Sequence, residues 1–341
     1  MSQASKNIRL RHSSDFEPGF TRKRQGRHWA YFDSDGKRIT DRETIDRLNA
    51  IGLPPAYEQA WFCADDNGHL QATGVDARGR KQYRYHAKFR AKADESKFDG
   101  LADFAKALPK IRRKVERDLR KRALDRDKVV AAVVRLLDTE HIRVGNDQYA
   151  KENKSFGATT LLTRHVKSKN GRVRMRFAGK HHIVHEVTIT DRTLGRIVRQ
   201  LHDLPGQPLF QYINGDGEPH PVTSADVNAY LGEASGGDFT AKHFRTWAAS
   251  VIALDALLEA DEEHKVSVAT VCQAVAEALG NTPAISRKSY IHPALIEAAK
   301  ERPRDPLPDL ERPRGRKWLS PGEVALMQFL KAPKRRRKAA S

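Results

Sequence analysis

The period of the hydrophobic pattern changes near residue 90, and this constrains the fold more than any other feature of the 341-residue chain. Before that point apolar residues come in short, strand-like runs cut by Asp/Gly-rich turns at Asp33–Gly36, Asp65–Gly68 and Gly74–Gly79. Ala60–Ala64, Leu70–Gly74 and Gln82–His86 are predicted strands, and Thr44–Ile51 is the one clear helix. Residues 1–30 are polar and basic and are expected to be loosely held. After a charged linker, Ala91–Gly100, the pattern becomes helical over Leu101–Leu108, Ile111–Leu124 and the apolar Lys128–Thr139 (KVVAAVVRLLDT).

A strand pattern then returns inside the helical half. Thr160–Val166, Arg172–Phe177 and Ile183–Thr190 read as three strands, with Asn170-Gly171 as a hairpin turn and Ala178–His181 as the next turn. Helices resume at Asp191–Leu201, Ser224–Leu231, Ala241–Ala260 and Ser267–Leu279, the last ending at Gly280. Thr282-Pro283 opens another helix, and Ser320-Pro321-Gly322-Glu323 is a capping box for a last one. The fold class is therefore α+β: a β-rich N-terminal domain over residues 1–92, a larger and mainly α domain over 93–330 with a three-stranded β insertion, and a basic disordered tail over 331–341 carrying Lys334–Lys338 (KRRRK).

Charge narrows the partner. The 62 Lys and Arg residues exceed the 43 Asp and Glu residues, a formal net charge of +19. Such an excess suits a polyanion, because bound cationic side chains release counterions from phosphates. Nucleic acid leads, with an anionic membrane surface second. No stretch approaches the roughly 18 apolar residues of a membrane span, and no apolar segment marks a secretory signal. Cys63 and Cys272 lie far apart without metal-ligand spacing, which fits reduced thiols in a cytoplasm-like compartment. Gly179-Lys180 lacks the glycine-rich lead of a phosphate-binding loop, so nucleotide triphosphate chemistry is unsupported. His181, His182 and His185 crowd one turn and strand without a carboxylate or thiol set, and no metal site is expected.

Four segments share one resemblance. Leu53–Phe89, LPPAYEQAWFCADDNGHLQATGVDARGRKQYRYHAKF, resembles the N-terminal domain of bacterial, poxvirus-like type IB topoisomerases. Leu136–Leu161, Phe239–Trp247 (FTAKHFRTW) and Leu279–Pro293 (LGNTPAISRKSYIHP) resemble blocks of that family's catalytic domain, in the family's order. The catalytic half is also similar in pattern to tyrosine site-specific recombinases, which share the chemistry; the N-terminal domain resembles the topoisomerase one and not the helical arm-binding domains of integrases.

The resemblance implies a role for each matching residue. Tyr290 is the implied nucleophile, forming a 3′-phosphotyrosyl ester that stores the bond energy for resealing. Arg143 and Arg245 match two arginines that stabilise the phosphorane-like transition state, and Lys180 matches the general acid that protonates the leaving 5′-oxygen. Asn281 stands where most of the wider family has histidine; it can donate a hydrogen bond but stays neutral, which puts acid–base work at that position in doubt. Gln82, Tyr83, Tyr85, Tyr149 and Lys242 match DNA-contacting positions. The expectation that follows is a monomeric C-shaped clamp on duplex DNA, nucleoid-associated in the cytoplasm. It would relax supercoils by nicking, rotation and religation without ATP, a metal or a small-molecule substrate. Any stimulation by Mg2+ would fall on product release rather than chemistry. The alternatives are a tyrosine recombinase and a non-catalytic DNA-binding protein; the presence of Tyr290, both arginines and Lys180 argues against the latter.

Overall fold

The computed structural model describes residues 10–26, 28–77, 79–90, 98–215, 217–259, 266–301 and 313–331. The chain divides into two compact units, residues 1–99 and 100–341. Most of the linker segment (residues 91–97) and the KRRRK tail lie outside the described residues.

The first unit is a small antiparallel sheet with one helix. Strands β1 (Gly19–Gln25), β2 (His28–Phe32), β3 (Glu58–Cys63), β4 (Leu70–Val75) and β5 (Lys81–Tyr85) lie in the order β2-β1-β3-β4-β5. Helix α1 (Arg42–Ala50) starts at Asp41, whose carboxylate accepts from the Thr44 amide at 2.8 Å. Tyr31, Leu48, Leu53, Phe62 and Ala72 make the core. One expectation fails here. Gly19–Gln25 (GFTRKRQ) is a strand paired on both sides, with β2 and β3, although residues 1–30 read as loosely held. Its basic run Arg22-Lys23-Arg24 falls on both faces, which hid the period of two: Arg22 lies over the Trp29 ring at 4.3 Å and donates to the backbone carbonyl of Leu53 at 2.8 Å.

The second unit is mostly helical: α2 (Leu101–Leu119), α3 (Arg126–Glu140), α4 (Asp147–Asn153), α5 (Arg192–His202), α6 (Ser224–Ser235), α7 (Ala241–Leu258), α8 (Val268–Leu279), α9 (Pro283–Ser289), α10 (Pro293–Glu301) and α11 (Pro321–Lys331). The KVVAAVVRLLDT run is its central helix. Val129, Val130, Ala131, Ala132, Val133, Val134, Leu136 and Leu137 are buried on every side of α3, so neighbouring helices surround it. The insertion holds β6 (Val166–Lys169), β7 (Arg172–Ala178) and β8 (Val184–Ile189) as a three-stranded antiparallel sheet. Two short strands, β9 (Gln211–Ile213) and β10 (Pro219–Pro221), form a separate hairpin.

Two local expectations are corrected. Leu101–Leu108 and Ile111–Leu124 form one helix ending at Leu119; Pro109 sits inside it, and the buried row Phe104, Leu108, Ile111 and Val115 continues across the lost hydrogen bond. Thr160–Val166 is not a strand. Residues 158–160 and 163–165 are 3-10 turns, locked by Thr160 Oγ1 accepting from the Gly157 amide at 2.9 Å and His165 Nδ1 accepting from the Leu162 amide at 3.1 Å. Side chains that bond the local backbone this way compete with a sheet ladder.

A buried ionic network fastens α11 to α2, α3 and α7. Arg112 of α2 donates to both oxygens of Asp138 and both oxygens of Glu323, at 2.7 to 2.8 Å, and Trp247 Nε1 of α7 donates to Glu323 at 2.9 Å. The predicted capping box is present: Glu323 accepts from the Ser320 amide at 2.8 Å and Ser320 Oγ from the Glu323 amide at 3.2 Å. Burial pushes the Glu323 carboxyl up, but the Arg112 bonds outweigh it and the net shift is downward. The stabilisation is therefore present above the ordinary glutamate range and is lost as pH falls through the depressed native value. Glu323→Ala is expected to destabilise this unit by about 3–5 kcal/mol, as when one partner leaves a buried pair. Denaturant unfolding of the two proteins checks this.

Candidate active site

Three segments around α3, α7 and α9 bring four of the predicted residues together. Helix α3 ends at His141, which takes the left-handed conformation (φ 54), and the chain leaves as an extended segment carrying Arg143. The Gly157–Thr160 turn holds that segment: Ala158 N donates to Arg143 O at 2.8 Å and Thr159 N to Val144 O at 2.7 Å. A side chain at Gly157 would meet the Arg143 carbonyl at 2.6 Å, so the close approach requires glycine.

Helix α7 supplies Arg245, which is only 4% exposed. Its guanidinium donates to the His141 carbonyl and, at 3.1 Å, to the Leu279 carbonyl. One side chain thus ties the end of α3 to the end of α8. Helix α7 also supplies Ser250, fully buried, whose hydroxyl donates to the Thr246 carbonyl at 2.9 Å, accepts from the His292 amide at 3.1 Å and lies 3.5 Å from the Tyr290 carbonyl. Tyr290 is the residue that ends α9, off helical geometry at φ −131 and ψ −36. Its backbone is therefore pinned to the helix that bears Arg245.

The side chains meet. The Arg245 guanidinium lies 4.9 Å from the centre of the Tyr290 ring. Arg143 Nη2 donates to Asn281 Oδ1 at 2.7 Å, and Asn281 follows the left-handed Gly280 (φ +59) that caps α8. Burial raises the Tyr290 phenol pKa, but the charges and hydrogen bonds of Arg245 and Arg143 outweigh it and hold the phenol below its ordinary value. Burial pushes the Arg245 guanidinium down to about 10; Arg143 adds to this and Tyr290 opposes it. Arg245 Nε and Asn281 Nδ2 are buried donors without a hydrogen-bond partner among the described residues. Buried donors left open beside two guanidiniums suit an anionic ligand.

Lys180 is exposed in the turn Lys180–His182 between β7 and β8. Lys242 is exposed on α7, three residues before Arg245. Tyr149 falls in α4; its side chain lies outside the described residues. In the first unit, Tyr83 and Tyr85 are 45% and 41% exposed and their rings stack at 6.2 Å, so they face solvent rather than the core. Gln82 points to the opposite face of β5 and donates to Asp76 at 3.0 Å. Among the described residues no cluster of His, Cys, Asp or Glu is arranged to hold a metal ion.

One residue set aside by the sequence reading is part of the site. His185, weighed there only as one of three histidines, packs against Gly179 and Gly280. Burial, Arg245 and Arg143 hold its imidazole below the ordinary histidine value. Its position on the inward row of β8 with Val187 and Ile189 was a legible signal.

A family model of the catalytic core of eukaryotic DNA topoisomerase I matches residues 86–306, and one of the N-terminal domain of bacterial DNA topoisomerase IB matches residues 28–76. The chain belongs to the type IB DNA topoisomerases. The DNA topoisomerase 1B of Acanthamoeba polyphaga mimivirus is 31% identical to this topoisomerase over 297 residues, covering 84% of this chain and 88% of that one. The DNA topoisomerase 1B of Vaccinia virus (strain Copenhagen) is 22% identical over 294 residues, covering 80% and 90%. Among solved structures, a XerH site-specific recombinase bound to a palindromic difH substrate aligns with a TM-score of 0.37 and 17% identity, over 57% of this chain and 50% of that one. So slight a likeness carries no argument for recombination. The enzyme is a type IB DNA topoisomerase, and no helix among its described residues is long and apolar enough to cross a membrane.

Proposed function

We propose that this topoisomerase nicks one strand of duplex DNA through Tyr290. The phenolate oxygen attacks the scissile phosphorus and expels the 5′-oxygen, leaving a 3′-phosphotyrosyl ester. After the free end rotates, the 5′-hydroxyl attacks that ester and restores the strand. Both steps are transesterifications, so no ATP is consumed. Arg143 and Arg245 stabilise the charge that grows on the non-bridging oxygens, and Asn281 donates a neutral hydrogen bond there. Lys180 protonates the leaving 5′-oxygen. These cations supply the positive charge that a metal ion would otherwise bring, and we expect cleavage to proceed under chelation.

The reading rests chiefly on two arginines placed to depress one phenol, with Arg245 4.9 Å from its ring. The direct test is Arg245→Ala. The tyrosinate titration of the wild type, less that of Tyr290→Phe, isolates this phenol from the other tyrosines. Loss of Arg245 should move it to higher pH, and single-turnover cleavage should slow by about 10²–10³-fold. An unmoved titration would separate Arg245 from the nucleophile.

DNA contact is assigned to Gln82, Tyr83 and Tyr85 of the first unit and to Tyr149 and Lys242 of the second. Stacked, exposed tyrosines on a basic strand suit groove contact with bases and phosphates. We infer a single-chain, C-shaped clamp around the duplex, acting as a monomer on the nucleoid.

A further inference from the structure

We propose that His185 is a positioning residue for Lys180, a flat spacer that sets how far the lysine-bearing turn stands from the Gly280–Asn281 turn. The inference rests on the assignment of Lys180 as the acid. Among the described residues no hydrogen bond or ion pair anchors the Lys180 ammonium, so its aim is set by the turn beneath it. That turn is tight: Gly179 N donates to Ile183 O at 2.8 Å and His182 N to Gly179 O at 3.0 Å, with His182 at φ 59. The backbone that leads into it rests on the His185 ring.

The contacts are on the two sides of that ring that converge on Nε2, which both glycines approach. A Cβ built at Gly179 would lie 2.6 Å from His185 Cδ2 and 2.7 Å from Nε2. A Cβ built at Gly280 would lie 2.5 Å from Cε1 and 3.0 Å from Nδ1. The imidazole is thus held between two bare backbones, one leading into Lys180 and the other into Asn281. Its face is fixed as well, stacked on Phe177 at 5.3 Å and 12°. The partner rows agree, since Phe177 and His185 are cross-strand neighbours. On the inward row of β8 the other residues are Val187 and Ile189, so a polar ring here is not what core packing alone would select. Burial and the two arginines hold the imidazole below the ordinary histidine value, which disfavours charge on it and suits a spacer beside a cationic site.

The test compares single-turnover cleavage of a normal duplex and one whose bridging 5′-oxygen is sulfur. A thiolate departs without a proton, so a defect in proton delivery shrinks on sulfur and a defect in charge stabilisation does not. His185→Ala should slow cleavage of the oxygen substrate by about a hundredfold, the scale of a misplaced catalytic group, at unchanged DNA affinity. The defect should shrink on sulfur, as for Lys180→Ala, and the double variant should be no slower than Lys180→Ala alone. Gly179→Ala gives a second approach that leaves no cavity: with φ −88 its backbone tolerates alanine, and only the ring obstructs the new methyl. It should reproduce the sulfur-sensitive defect when His185 is present and add nothing in the His185→Ala background. Rescue of Lys180→Ala with no rescue of His185→Ala or Gly179→Ala would overturn the role given to His185 alone. Failure of rescue in Lys180→Ala as well would overturn the acid assignment and this proposal with it.

Discussion

Replacing Tyr290 with phenylalanine is expected to abolish relaxation and covalent attachment while leaving DNA affinity nearly unchanged. In the proposed mechanism the phenol oxygen becomes the ester oxygen of the intermediate, so its removal deletes the reaction path rather than slowing it. The hydroxyl's hydrogen bonds with Arg245 and Arg143 go with it, but other contacts hold the site together. The Arg245 guanidinium sits over the ring, and a phenyl ring keeps that contact. Ser250 holds the backbone of the segment through the His292 amide, which the substitution does not touch. Arg245 keeps its bonds to the His141 and Leu279 carbonyls. The variant should therefore fold normally and bind DNA as before. Relaxation measured at high enzyme excess, beside a binding titration, checks both halves. Residual relaxation by a clean preparation would remove Tyr290 from its role.

Lys180→Ala is expected to slow cleavage by roughly 10²–10⁴-fold, the usual span for a positioned acid. Lys180 is exposed on a turn, so its loss leaves no cavity and should not affect stability. The defect should nearly vanish on a duplex with sulfur at the bridging 5′ position. Arg245→Ala should respond differently, because a better leaving group does not replace charge stabilisation at the non-bridging oxygens. Equal rescue of the two variants, or none for Lys180→Ala, would return Lys180 to a phosphate-positioning or solvated side chain.

The two-period pattern was enough to place the sheet unit, the helical unit and two of the three strands of the insertion, because burial in each follows the period of its own backbone. KVVAAVVRLLDT read as a buried helix, and its uniform apolar character fits a helix enclosed on all sides. Legibility failed where side chains other than apolar ones decide local structure. GFTRKRQ is a strand whose arginine packs by its stem and face, a contact that composition does not reveal. Thr160–Val166 has strand-like residues, but Thr160 and His165 spend their polar atoms on neighbouring backbone. Tyr290, Arg143, Arg245 and Asn281 were identifiable only through resemblance, since they are scattered over 148 residue numbers and meet by tertiary packing. The period of two puts His185 on the inward row of β8, but its contacts with Gly179 and Gly280 leave no chemical signature in a sequence.

The most direct test of the central claim is to trap the covalent intermediate and map it. The full chain is mixed with a duplex whose 3′ segment beyond the nick is too short to stay annealed, in EDTA and without nucleotide. Proteolysis and mass measurement then locate the attached oligonucleotide. The expected result is one adduct, on Tyr290, joined to the 3′-phosphate end of the cleaved strand. An adduct on another residue, attachment through a 5′-phosphate, or attachment that appears only when a divalent metal is restored would contradict it.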